Sequence, residues 1–105
     1  MIFHVVPLSE WTAAGTGPYA PSSLAAEGFV HCSGDRATAL AIADAHYGDE
    51  SAPLLVLSLD EAALGAEVRW EGRDGAFPHV YGPIERAAVT GVERLHRVAG
   101  SWTAP

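Results

Sequence analysis

Three short segments of this chain carry hydrogen-bonding and proton-exchanging side chains at alternate positions. FVHCS (29–33) holds His31 and Ser33, EVRWE (67–71) holds Arg69 and Glu71, and FPHVYGP (77–83) holds His79 and Tyr81. In extended backbone, residues two apart point to the same side. His31 and Ser33 therefore share a face opposite Val30 and Cys32, and Arg69 and Glu71 share a face opposite Val68 and Trp70. If the three segments line one cleft, it gathers two imidazoles, a guanidinium, a carboxylate, a hydroxyl and a phenol. That inventory suits an anionic or sugar-bearing ligand. His31, His79 and Glu71 are the candidates for catalysis. Ser33, Arg69 and Tyr81 are the candidates for holding the ligand, and His4, on the opening IFHVV segment, joins them.

Each candidate also has an ordinary structural explanation. His31 can be a core histidine donating to a backbone carbonyl, and Ser33 a helix N-cap. Arg69 and Glu71 can be an exposed pair on an edge strand, of little energetic weight. His79 and Tyr81 lie between Pro78 and Pro83, in a proline-bounded loop that would hold them cheaply. His46 ends an alanine-rich stretch, where an imidazole meets the negative end of a helix dipole. Cys32 faces away from His31 by strand parity, which argues against a Cys–His nucleophilic pair. His96 reads as solvent-facing, and the tryptophans and phenylalanines as packing groups.

The elements that must position these residues follow from periodicity and punctuation. Ile2–Val6 is β-prone and ends at Pro7. Ser9, followed by Glu10, marks a helix start, and Gly15–Gly17 its stop. Leu24–Glu27 is a helical turn before Gly28. FVHCS is a short buried strand leading to two candidate caps, Ser33 and Asp35, and Asp35–Tyr47 is an alanine-rich helix closed by Gly48. Pro53–Leu59 is apolar enough to be a central strand. Asp60–Leu64 is a short capped helix, Glu67–Glu71 a strand, Gly72–Gly75 a turn, and Ala87–Val98 mainly a final strand. Helices and strands alternating, with strands clustered late, indicate an α+β domain.

Composition narrows the chemistry. The 105 residues suffice for one domain spanning 1–105. Thirteen acidic residues against six basic ones give a formal charge of −7, and all six are arginine. Without lysine there is no lysine Schiff base and no Walker-type phosphate loop. The acidic balance argues against broad DNA binding. A single cysteine excludes an internal disulfide and any multi-cysteine metal site. The amino terminus lacks a secretory pattern and no run of apolar residues is long enough to span a membrane, so a cytoplasmic protein without membrane association is expected.

The order of segments also resembles a known family. AAEGFVHCS, PLLVLSLD, EVRWE and FPHVYGPI followed by AAV, with the opening IFHVV-x(4)-W and the later GPYAPSSL, are similar to the small bacterial proteins of domain-of-unknown-function family 952. That family resembles the ADP-ribosyltransferase superfamily, which includes RNA 2'-phosphotransferases. The resemblance implies a curved, split, mostly antiparallel sheet flanked by short helices, with a cleft for NAD as substrate. It implies that His31 contacts a ribose, that Tyr81 or His79 is the second site residue, and that Glu71 is the candidate acid. Glu93 falls in a segment that does not align with the superfamily's C-terminal glutamate.

The leading expectation is a nucleotide- or NAD-binding domain that transfers ADP-ribose to a small molecule or an RNA 2'-phosphate. Ser33 would join His31 on ribose, Arg69 would pair with phosphate, and no metal is required. A noncatalytic module binding a small anionic metabolite is the rival. A metal-dependent hydrolase using His4, His31, His79 and Glu71 is a third reading, although the spacing matches no compact metal signature.

Overall fold

A computed structural model of the chain describes residues 1–50 and 53–103. The elements, in order, are β1 (Ile2–Pro7), α1 (Leu8–Ala13), α2 (Ser22–Glu27), β2 (Val30–His31), α3 (Arg36–His46), β3 (Leu54–Leu59), β4 (Val68–Glu71), β5 (Phe77–Val80), β6 (Val89–Arg94), β7 (His96–Val98) and β8 (Ser101–Thr103). Short 3-10 turns at Glu61–Ala63, Arg73–Gly75 and Arg86–Ala88 join some of them. All strand pairs are antiparallel, in sheets ordered β1-β3-β6, β2-β5-β4 and β7-β8. The first two meet edge to edge, where Phe3 and Ser33 exchange backbone hydrogen bonds of 2.9 and 2.7 Å. The architecture is α+β with short helices.

β3 explains its own unbroken apolar run. It is the middle strand of its sheet, and both of its faces are covered. Leu55, Leu57 and Leu59 pack with Ile2, Val6, Tyr19, Val30, Val80 and Ile84. Leu54 and Val56 on the other face meet Ala39 and Ala43 of α3, together with Leu95 and Trp102. The two alanines are fully buried, and their small side chains let α3 lie close on the sheet. A strand buried on both sides has no polar face to alternate with.

Several local expectations are corrected. Ser9 lies inside α1, whose N-cap is Pro7 with no side-chain cap bond, and Glu10 ties this helix to α2: its Oε1 accepts from the Ser22 backbone N–H at 3.0 Å. Ser33 does not cap α3. Its backbone is bound to Phe3, and Asp35 takes the cap, its Oδ1 accepting from the Thr38 N–H at 2.7 Å. The segment 77–83 is not simply a proline-bounded loop, since β5 is the central strand of its sheet. Pro78 is tolerated there because its carbonyl still accepts from the Cys32 N–H at 3.0 Å. The final stretch divides into β6 and β7, followed by β8. At Gly28 the chain leaves α2 through a left-handed residue with φ of 86°, which glycine adopts without steric cost, and enters the FVHCS segment.

Candidate functional site

β5 pairs with β2 on one side and β4 on the other, and His79 is opposite both His31 and Arg69. Residues directly opposite each other in an antiparallel pair project to the same face. A row of His31, His79 and Arg69 therefore crosses the sheet, with Phe29, Glu71 and Tyr81 beside it. Phe29 stacks on His79 with ring centroids 4.2 Å apart and touches the edge of His31 at 4.7 Å. The two imidazoles meet edge to face at 5.3 Å. Tyr81 lies 5.4 Å from Phe29 and carries the Arg69 guanidinium over its ring at 4.6 Å.

Each imidazole is backed by a carboxylate. Glu71 Oε1 accepts from His79 Nδ1 at 3.0 Å and also from the Tyr81 hydroxyl. These two hydrogen bonds, led by that of Tyr81, hold the Glu71 carboxyl below the ordinary carboxylate range, and the same bond pushes the Tyr81 phenol up. Glu27 Oε2 accepts from His31 Nε2 at 2.6 Å. A carboxylate fixes the tautomer of the ring it faces. Neutral His79 therefore keeps its lone pair on Nε2, and neutral His31 keeps its own on Nδ1.

A cleft of about 480 Å³ runs between this sheet and the layer of β1 and α3. His31, His79, Ser33 and His4 line it, with Glu27 and Ser23 of α2, His46 and Tyr47 at the end of α3, and Phe3 and Phe77 among the apolar walls. Arg69, Glu71 and Tyr81 share the sheet face but not the cleft lining, which corrects the expectation of one common concavity. Arg69 is turned outward, ion-paired with Glu67, and that partner raises its already high pKa. Glu67 stands two residues earlier on the same side of the strand, so alternation alone signalled this pairing.

His4 is buried and serves the fold. Its Nδ1 donates to the His31 carbonyl at 2.6 Å, and its Nε2 accepts from the Tyr19 hydroxyl at 3.2 Å. Burial lowers its pKa, and burial raises that of Tyr19. Burial also pushes the Cys32 thiol up to about 12, so no thiolate nucleophile is available. Among the described residues no group of three or more His, Cys, Asp and Glu side chains could hold a metal ion. The hydrolase set of His4, His31, His79 and Glu71 does not form a shell. His46 lines the cleft in addition to ending α3, and Glu27 and Phe29 were missed as site residues. Phe29 was legible, two residues before His31 on the same strand face.

The model of the family described as "Protein of unknown function (DUF952)" matches residues 5–92. The chain belongs to this family. Among solved structures it is similar to CC0527 from Caulobacter crescentus. The crystal structure of CC0527 is 30% identical, with a TM-score of 0.83, covering 97% of this chain and 92% of that one. The crystal structure of a double mutant of the same protein gives 29% identity and a TM-score of 0.83, with the same coverage. The solution structure gives 27% identity and a TM-score of 0.75 over 96% and 89% of the two chains. Comparison with curated proteins gives no match. No helix is long and apolar enough to cross a membrane among the described residues.

Proposed function

We propose that this DUF952 protein binds a nucleotide or an NAD-like dinucleotide in the cleft between β2–β5 and α3, and that it transfers the ADP-ribosyl group of NAD to a small molecule or an RNA 2'-phosphate, nicotinamide leaving with the bonding pair and water taking the group when no other acceptor is supplied. The observation that carries the reading is the pair of carboxylate-backed imidazoles, His31 and His79, set 5.3 Å apart in the wall of a cleft with aromatic surfaces. A ribose hydroxyl can donate to His31 Nδ1, and Phe3, Tyr47 and Phe77 offer flat apolar surface to a base. Cleavage of the glycosidic bond between ribose and nicotinamide leaves positive charge on the ribose, and an ionised carboxylate stabilises it. Glu71, partly exposed and bonded to His79, is the candidate for this role from beside the cleft, whose own lining carries Glu27. Glu93 is engaged elsewhere, with Arg36.

Calorimetric titration with NAD, with nicotinamide release followed by chromatography, tests the reading. Saturable binding and release that disappears in Glu71→Gln are expected. In His31→Ala, affinity falls while the circular dichroism spectrum is retained. Binding without release assigns the cleft to a noncatalytic module, and no binding at millimolar NAD refutes the nucleotide reading.

A further inference from the structure

We infer that the cleft recognises the uncharged nucleoside end of its ligand and leaves phosphate outside. This rests on the nucleotide reading above and specifies which part of such a ligand is held. The first reason is the hydrogen-bonding sense of the wall. In their neutral forms the fixed tautomers present acceptors, Nδ1 of His31 and Nε2 of His79, and the Glu27 carboxylate, bonded to His31 through Oε2 at 2.6 Å, adds another. Ribose hydroxyls and exocyclic amines donate to such groups. A phosphate dianion has only acceptors of its own and finds there only uncharged donors, such as the hydroxyls of Ser23 and Ser33.

The second reason is where the positive charge has gone. With no lysine in the chain, phosphate recognition falls to the six arginines, and none lines the cleft. Arg69 pairs with Glu67, and Arg36 with Glu93. Arg86 lies over Trp11 with its Nε donating to the Gly17 carbonyl, and Arg97 lies over Trp102 donating to the carbonyls of Tyr47 and Glu50. Arg73 is in the exposed 73–75 turn, and Arg94 is exposed on β6. The amino end of α3, directly after the cleft residues Cys32 and Ser33, would ordinarily attract an anion. Asp35 already supplies one there through its cap bond to Thr38. The fixed charge that does line the cleft, Glu27, is negative.

Adenosine, AMP and NAD titrated calorimetrically at pH 8.5 and low salt decide the matter. Adenosine should bind at least as tightly as AMP. Glu27→Gln removes a nucleoside acceptor and the one fixed negative charge of the wall together, so adenosine should weaken while AMP does not, and the AMP-to-adenosine affinity ratio should rise at least two- to threefold, a shift that general loosening of the fold would not produce. AMP binding more than threefold tighter than adenosine, or an unchanged AMP-to-adenosine ratio in Glu27→Gln, overturns the inference while the nucleotide reading stands. Failure of all three ligands to bind overturns both.

Discussion

Acidification tests the buried His4 through its linkage to folding. In the folded chain burial depresses its pKa, whereas the unfolded chain titrates near the ordinary value of 6.5. Between those two values the unfolded state binds more protons, so stability is full above pH 6.5 and is lost as pH falls toward the folded pKa. The largest possible cost belongs to an imidazole that stays neutral in the fold throughout, for which moving from pH 7.5 to 5.5 changes the unfolded chain's partition by a factor of about ten. The cost is therefore at most about 1.4 kcal/mol, the free energy of one pKa unit. For a domain of this size the fall in Tm is bounded at about 5 to 8 °C. His4→Gln supplies the reference, since its amide N–H can still donate to the His31 carbonyl and its oxygen can accept from Tyr19, without titrating. Melting curves of both proteins at the two pH values give a double difference in which the other ionisable groups cancel. Equal pH dependence in the two proteins refutes the linkage argument.

Three further outcomes are expected. Leu57→Ala, at a fully buried position of β3, should lower stability by about 2 to 5 kcal/mol in urea titrations, because the surrounding strands close a cavity only in part. Cys32 should resist a thiol reagent at pH 8 in the folded protein and react fully in denaturant, as a buried thiol raised to about 12 requires. Glu71→Gln removes the carboxylate that accepts from the Tyr81 hydroxyl, the first cause of its raised pKa, so tyrosinate absorbance in the variant should develop at lower pH than in the parent.

What was legible in the sequence was local periodicity. Alternation separated the exposed His31 from the buried Val30, as the structure has them, but the strand ends at His31, and beyond it Cys32 and Ser33 are both buried and both reach the cleft. The same rule reaches two neighbours that the sequence reading passed over, Glu67 beside Arg69 and Phe29 beside His31. What periodicity could not supply was the order of strands. β5 reads as punctuated by prolines, yet it is central, because Pro78 needs to give only its carbonyl to Cys32. Nor could it show that the cleft opens toward α3 rather than toward β4. That direction separates Arg69 and Tyr81 from His31, and it follows from the Phe3–Ser33 bridge that joins the two sheets.

The same bridge makes His4 more than a packing residue. β1 carries Phe3, bonded through its backbone to Ser33, and His4, whose Nδ1 reaches the His31 carbonyl. Two consecutive residues of one strand thus hold the backbone on either side of Cys32. Cys32 itself is anchored to β5 through Pro78. The peptide that presents His31 to the cleft is therefore fixed from both neighbouring strands, while its imidazole stays half exposed and bound to Glu27. A side chain can be both mobile enough to meet a ligand and accurately placed only when its backbone is held by other means. The buried His4–Tyr19 pair supplies part of that hold by linking the cleft wall to the core cluster around Leu57.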